Sequence, residues 1–164
     1  MLDLIRMSTL RNVPVVLGQR QIGLIQDACF DETRKQVYAF VVACGMRGKK
    51  LVPVKHVRVL SEQFILIDGL EKYRHTDRQK MSLFVRDTTG ILVGRVTDYA
   101  IDIRTMEVLA LEMIPGYSLR DWRRRIWLYA YRVSQDRNEL SIPLHLLRQS
   151  CFLEEENDAC ECPP

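Results

Sequence analysis

The stretch GLIQDACFDETRKQVYAFVV at residues 23–42 returns, 71 positions later, as GRVTDYAIDIRTMEVLALEM at residues 94–113. Without a gap, Gly23 aligns with Gly94, Asp27 with Asp98, Asp31 with Asp102, Val37 with Val108 and Ala39 with Ala110. Ordinary residue usage gives roughly one identity in a window of that size. Apolar type is also kept at Ile25 and Val96, Phe30 and Ile101, Phe40 and Leu111, and Val42 and Met113. A repeat of this length divides the 164 residues into two small units of one plan. Units of about 70 residues fold with little stability to spare, which favours packing of the two against each other.

Within the repeat the chemistry is that of strands. Val13 to Leu17 is extended and Gly18-Gln19-Arg20 turns it back. Ile22 to Phe30 forms a longer strand, the Asp31/Thr33 turn follows, and Gln36 to Ala43 returns. Period-two alternation puts Tyr38, Phe40 and Val42 on one face, read as the core because Leu109, Leu111 and Met113 are its counterparts. Ile25 and Phe30 are apolar in both copies yet of opposite parity, which predicts a β-bulge between them near Asp27. Pro53 lacks an N–H, so it ends the strand Lys50 to Val52 and opens a short helical turn. Phe64 to Ile67 closes the unit. The second half repeats Ser82 to Arg86, the turn Asp87 to Gly90, Ile91 to Ile101 and Glu107 to Ile114. SIPLHLLR at 141–148 matches LVPVKHVR at 51–58 with an offset of 90, which assigns about 19 extra residues to the second half. The fold class read from this pattern is all-β: two tandem small β-barrels, residues 1–68 and 81–153, each with a short helical turn after its Pro motif. A charged linker at 69–80 joins them, an insertion lies at about 115–137, and an acidic tail occupies 154–164.

Charge is uneven along the chain. All 24 Lys and Arg lie in residues 1–153 against 16 acids, a net of +8, while EEENDACEC at 154–162 carries five acids and no base. The tail reads either as a solvated end or as a screen for a basic surface. With 47% apolar and 27% charged residues, no apolar run of membrane-spanning length and no export signal, the chain reads as cytoplasmic. Five scattered cysteines, an odd number, do not suggest a disulfide framework, and C-x8-C-x-C in the tail lacks the knuckles of a zinc site. No metal or cofactor is expected.

Two basic stretches stand out. In the insertion, Arg120, Arg123, Arg124 and Arg125 sit around Trp122 and Trp127, and the equivalent loop of the first half holds Arg47, Lys49 and Lys50. Basic groups among aromatics suit nucleic acid, suit a protein interface, or belong to a solvated loop whose rings serve the local core. Ser118 with Asp121 and a helical spacing from Leu119 to Val133 suggest a helix here. Alternation of Trp127, Tyr129, Tyr131 and Val133, with SQDRN as a turn, points to an extra hairpin, the reading adopted. His56, His75 and His145 have no catalytic neighbours, and the repeated aspartates fit turns and bulges better than acid–base catalysis. The protein reads as no enzyme.

Gly23, Asp27, Asp31 and Val52-Pro53-Val54, repeated as Gly94, Asp98, Asp102 and Ile142-Pro143-Leu144, resemble the PRC-barrel family. That family includes the cytoplasmic part of the photosynthetic reaction-centre H subunit, a domain of the ribosome maturation factor RimM, and many small bacterial and archaeal proteins. The likeness covers about residues 8–68 and 81–153. It implies a non-catalytic adaptor that docks on another macromolecule, with a protein partner expected. The alternative is an RNA- or ribosome-associated assembly factor like RimM.

Overall fold

The computed structural model describes residues 3–31, 33–74, 84–116, 125–129, 131–134 and 139–143. β1 (Leu4–Arg6) leads into one helical turn, α1 (Met7–Leu10). β2 (Pro14–Leu17), β3 (Arg20–Phe30), β4 (Val37–Ala43), β5 (Lys49–Pro53), β6 (Val57–Leu60), β7 (Ile65–Ile67) and β8 (Glu71–Lys72) follow. Single 3-10 turns occupy Gly45–Arg47 and Val54–His56. The later part of the chain supplies β9 (Phe84–Asp87), β10 (Leu92–Asp102), β11 (Val108–Pro115), β12 (Ile126–Leu128), β13 (Arg132–Ser134) and β14 (Glu139–Ile142). The protein is nearly all β, with two curled half-barrel sheets as expected for tandem β-barrels.

The first sheet runs β6-β7-β2-β3-β4-β5-β8. Its one parallel contact sets Val15 opposite Ile65 and brings the end of the unit back to its beginning. The bulge expected near Asp27 is present: Ile25 pairs with Val42 and Asp27 already with Val41, so Gln26 is the extra residue. That single residue switches the inward parity and lets both Ile25 and Phe30 be buried. Pro53 is the last residue of β5, and Val54–His56 form the helical turn after it.

The inner face holds Phe40 and Val42 as predicted, but Tyr38, skipped by the register shift between Cys29 and Phe30, is 40% exposed. Ala39 and Val41, on the opposite face, are also buried. They join Cys29 and Leu51 in a second apolar cluster, against which Tyr73 packs from just beyond β8. Alternation alone describes a strand covered on one side, whereas β4 is covered on both.

β1, α1, β6 and β8 have no counterpart in the sequence reading, and β8 lies in the stretch read as linker, where it pairs with β5. β6, from Val57 to Leu60, pairs with β7 with a register shift between Val57 and Val59. β1 pairs with β10, Ile5 facing Ile101. α1 is held from outside: the backbone N–H of Ser8 donates to Asp98 Oδ1 at 3.0 Å, and the Ser8 hydroxyl donates to Asp98 Oδ2. Asn12, at φ 68°, ends the turn in the left-handed region that Asn tolerates, and its N–H donates to Ile25 O at 2.8 Å.

The second sheet runs β12-β11-β10-β9-β14-β13, with β1 added at β10. Read from its other end, this order repeats the first sheet: β13, β14, β9, β10, β11 and β12 stand where β6, β7, β2, β3, β4 and β5 stand. Register agrees. Val15 pairs with Gly23 and Ile65, and Val85 pairs with Gly94 and Leu140. Phe40, Val41 and Val42 face Val52, Leu51 and Lys50, while Leu111, Glu112 and Met113 face Leu128, Trp127 and Ile126.

This register corrects the match between the two Pro motifs. β12 is offset from β5 by 76 positions, not 90, and the link between β11 and β12 (116–125) is only five residues longer than that between β4 and β5 (44–48). Pro53 ends β5, whereas Pro143 follows β14, the counterpart of β7. The likeness of the two Pro motifs misled because an extended apolar residue before proline suits the end of any strand. Ile126–Leu128 and Arg132–Ser134 are strands of the repeated plan, and neither is helical. β13 and β14 pair with Ser134 opposite Glu139, and beyond Ser134 the turn expected at SQDRN lies outside the described residues. Ser118 and Asp121, the suggested capping pair, lie outside the described residues.

The chain divides into two compact units. One comprises residues up to Met81 together with Asp98–Leu109, and the other Ser82–Thr97 with residues from Ala110 on. In the first unit, the turn from Asp31 to Gln36 and its repeat from Asp102 to Glu107 exchange reciprocal bonds. Val37 N–H donates to Met106 O and Val108 N–H to Lys35 O, both at 2.9 Å, and Gln36 bridges its own counterpart, Glu107. Arg34 and Met106 both take left-handed backbone there, at φ 58° and 60°.

Candidate functional site

The basic loop of the first half forms a raised tip. β4 ends at Ala43, and the chain turns through Gly45 at φ 58° and Gly48 at φ 73° before β5 begins at Lys49. Both glycines have open space where a Cβ would stand, so backbone shape and not crowding requires them. Between them Met46 is wholly exposed, the most exposed large apolar side chain among the described residues. Arg47 and Lys49 are exposed beside it and Lys50 is half-buried. Register adds a fourth cation, because Lys50 faces Lys72 of β8 directly. Like charges at opposed positions of an antiparallel pair destabilise it by a few tenths to about 1 kcal/mol. Among the described residues, Arg47, Lys49, Lys50 and Lys72 have no ion-pair partner, whereas nearby Lys55 is held by Glu71 at 3.2 Å. On the adjoining strands, Leu24 faces both Pro14 and Ala43 and is 38% exposed, and Ala43 in turn faces Lys49. Met46 and Lys72 were not singled out from sequence. The spacing Gly45-x-x-Gly48 was the available signal for the first, and only strand pairing identifies the second.

In the second unit, Arg120, Trp122, Arg123 and Arg124 lie outside the described residues. Arg125 and Trp127 are described and have distinct surroundings. Arg125 Nη1 donates to Glu112 Oε1 at 2.7 Å, and the Thr97 hydroxyl donates to the same oxygen at 3.2 Å. Glu112 is buried at 1% exposure, at the position that Val41 fills in the first half, while the Arg125 side chain is 60% exposed. A carboxylate taken out of water needs a cation and hydrogen bonds beside it, so this arginine anchors the loop end to β11. Trp127 is half-buried opposite Glu112 and Tyr129 is 75% exposed.

The repeated acids are engaged by backbone. Asp31 Oδ1 accepts from Lys35 and Gln36 N–H at 2.9 and 3.0 Å, and Oδ2 accepts from the Thr33 hydroxyl at 2.5 Å. Partial burial pushes the Asp31 carboxyl up, but these donors together outweigh it and hold the group below the usual range. Asp87 does the same at its turn. The Thr89 hydroxyl lowers its pKa most, burial opposes, and the N–H groups of Ile91, Thr89 and Gly90 lower it further. Asp27 accepts from Ala28 N–H at 3.0 Å at the bulge, and Asp102 from Arg104 N–H at 2.8 Å. Burial raises the Tyr99 hydroxyl well above its ordinary pKa and Asp27 adds to the rise, while its ring stands edge-on to Phe30 at 4.7 Å.

His56 is part of a surface cluster. Its Nδ1 lies 2.8 Å from Asp68 Oδ1, and Arg58 Nε donates to Asp68 Oδ2 at 2.5 Å. Gly69 leaves room for the imidazole, because a Cβ there would stand 2.7 Å from Nδ1. The His56 contact, then Arg58, hold Asp68 below the usual carboxylate range. His75 and His145 lie outside the described residues. Among the described residues no group of three or more His, Cys, Asp or Glu is arranged to hold a metal ion, and no helix is long and apolar enough to cross a membrane. Cys29 is buried and Cys44 partly exposed.

Compared with known proteins, the chain has no match among curated proteins. The family model for the PRC-barrel domain matches residues 2–74. The match takes in β1 to β8, the bulge at Asp27 and the basic tip, and the second half carries the same strand order with Gly94, Asp98 and Asp102 at the repeated places. PRC-barrel domains are small binding modules. Residues 2–74, somewhat under half of the chain, are thus similar to a PRC-barrel domain.

Proposed function

We propose that the protein is a cytoplasmic, non-catalytic adaptor that docks on another protein through the tip at Met46, Arg47, Lys49, Lys50 and Lys72. The basic aromatic stretch from Arg120 to Trp127 serves as a second contact. The observation that carries this reading is Met46, fully exposed between two left-handed glycines on a tip whose cations have no ion-pair partner among the described residues. A bare thioether is an adaptable apolar anchor, and a pocket rimmed by acids on the partner would take both the methionine and its cations. A surface for single-stranded nucleic acid uses rings that stack on bases, and among the described residues the tip carries none. The repeated aspartates support a non-catalytic role because each accepts a backbone hydrogen bond, Asp27 at the bulge, Asp31 and Asp102 at their turns and Asp98 from Ser8.

The test compares proteins recovered from cell extract by the full chain and by its Met46→Asp and Arg47→Glu/Lys49→Glu variants. A partner retained by the parent chain and lost with both variants is expected. An identical set recovered by all three rejects the tip as the docking surface. Binding of bulk RNA that survives physiological salt, and weakens steeply above it, would replace the protein reading with RNA, since phosphate contacts release counterions.

A further inference from the structure

We propose that the outer face of β6, β7, β2 and β3 receives a second copy of this chain, in a two-fold dimer that sets Glu62 of each copy against Arg20 of the other. Val15 stands opposite Gly23 and Ile65, and Val15 and Ile65 are buried on the inner side of the sheet. Their neighbours Pro14, Val16, Phe64 and Leu66 therefore point outward by alternation. Register connects them to two more apolar residues: Val16 faces Leu66, Leu66 faces Val59, and Pro14 faces Leu24. Val59, Phe64 and Leu24 are 41%, 40% and 38% exposed, and the other three are half-buried. Six apolar residues on four adjacent strands make one patch, whereas apolar residues scattered singly over a surface need no partner.

What covers the patch follows from its ends. β2 and β7 run parallel, so the turn from β6 to β7 and the turn from β2 to β3 lie at opposite ends of it. The first turn carries Glu62 and the second leads into Arg20, both exposed. Neither has an ion-pair partner among the described residues. Asp68, at the Arg20 end, is already held by Arg58 and His56. An acid at one end, a base at the other and apolar surface between them is complementary to itself. A two-fold axis lying in the interface, perpendicular to the line from Glu62 to Arg20, brings each charge onto its opposite and repeats every contact in reverse. A polyanion laid along the same face would meet Glu62 and be repelled. Edge-to-edge pairing is disfavoured, because the register shift between Val57 and Val59 disrupts β6, the edge strand on this side of the sheet. The copies therefore meet face to face.

The test follows the mass of the full chain against its concentration by sedimentation equilibrium. The mass is expected to rise from 19.2 kDa towards twice that value between about 1 µM and 1 mM, the affinity range of a small interface. Leu24→Lys and Phe64→Lys, both at exposed positions, should each weaken association by about tenfold or more while circular dichroism stays unchanged. Glu62→Lys and Arg20→Glu should each weaken it by about three- to tenfold. The double variant Glu62→Lys/Arg20→Glu should return it to the parent level, because the pair is restored with its signs exchanged. A mass that stays at 19.2 kDa throughout overturns the proposal. Association that survives both apolar-to-lysine variants does so too, by assigning the contact to another surface, and a double variant no better than the single ones refutes the pairing of Glu62 with Arg20. None of these residues is among those assigned to the tip, so the outcome is separate from the docking reading.

Discussion

Gly23 and Gly94 are the first identities of the repeat, and the structure gives both one physical task. A Cβ on Gly23 would stand 2.3 Å from Ala43 O and 2.8 Å from Val42 Cγ1. On Gly94 it would stand 2.5 Å from Ile114 O and 2.8 Å from Met113 Sδ. Ordinary contact begins near 3.4 Å, so Gly23→Ala or Gly94→Ala must drive the neighbouring strand back by about 1 Å in an interior with almost no slack. Hydrogen bonds of about 2.9 Å stretched by that much leave the bonding range. Each substitution is expected to cost about 1–3 kcal/mol, the usual penalty for overpacking. In urea unfolding followed by circular dichroism, with a slope of about 1–3 kcal/mol per molar, the midpoint should fall by about 1 M. Gly45 is the control: its φ is 58° but nothing crowds it, so Gly45→Asn should be nearly neutral because Asn tolerates left-handed backbone. Gly23→Asn should be at least as harmful as Gly23→Ala. Losses below about 0.5 kcal/mol for both alanine variants, within the range of ordinary surface changes, would refute the close-approach argument.

Removing the Ser8 hydroxyl with Ser8→Ala should cost about 1 kcal/mol, and Asp98→Ala about 1–3 kcal/mol, because the latter frees two donors at α1. Thermal unfolding would show both, and equal losses would argue against Asp98 as the anchor. Arg125→Ala leaves the buried Glu112 without that cation and should destabilise by about 1–3 kcal/mol. Adding Glu112→Val, the residue type found at Val41, should restore most of the loss, since apolar replacement of a buried pair is often neutral. A double variant no better than Arg125→Ala would refute this. The carboxyls of Asp31 and Asp87 are depressed in the folded state. They therefore stabilise above the unfolded value of about 3.9, and that stability is lost as pH falls through their lower folded values. Thr33→Val/Thr89→Val removes a donor from each and raises those values, so the acid-unfolding midpoint should move to higher pH. An unchanged midpoint would count against the turns as the source.

The fold was legible where one residue type had one physical use. Alternation located β2, β3, β4, β9, β10 and β11, and conflicting parity at Ile25 and Phe30 located the bulge. The turns followed from Asp31/Thr33 and Asp87 to Gly90. What escaped depended on distant partners. β1 and α1 exist because Ile101 and Asp98 receive them, and nothing in LIRMSTL announces either neighbour. Alternation puts Val41 and Glu112 on the face away from the predicted core, yet both are buried, one in an apolar cluster and the other beside Arg125 and Thr97. The second Pro motif was placed by likeness, and only hydrogen-bond register showed that β14 answers to β7. At the tip, composition revealed Arg47, Lys49 and Lys50, while Lys72 joins them only through pairing across β5 and β8.

The exchange of hydrogen bonds between the turns at Asp31–Gln36 and Asp102–Glu107 bears on how this gene can change. Duplication ordinarily frees one copy to drift, be lost or be moved elsewhere. Here the two copies each satisfy a backbone donor and a backbone acceptor of the other, through Val37, Met106, Val108 and Lys35. A fragment ending at residue 74 would contain the whole stretch that the family model matches, yet would forfeit the β10 edge that receives β1 and leave Val37 N–H and Lys35 O unsatisfied. Such a fragment should be sticky, borrowing those strands from a second molecule. Insertion or deletion at either turn disturbs both, so length variation along this lineage should collect in the 116–125 link and leave the two turns at their present length.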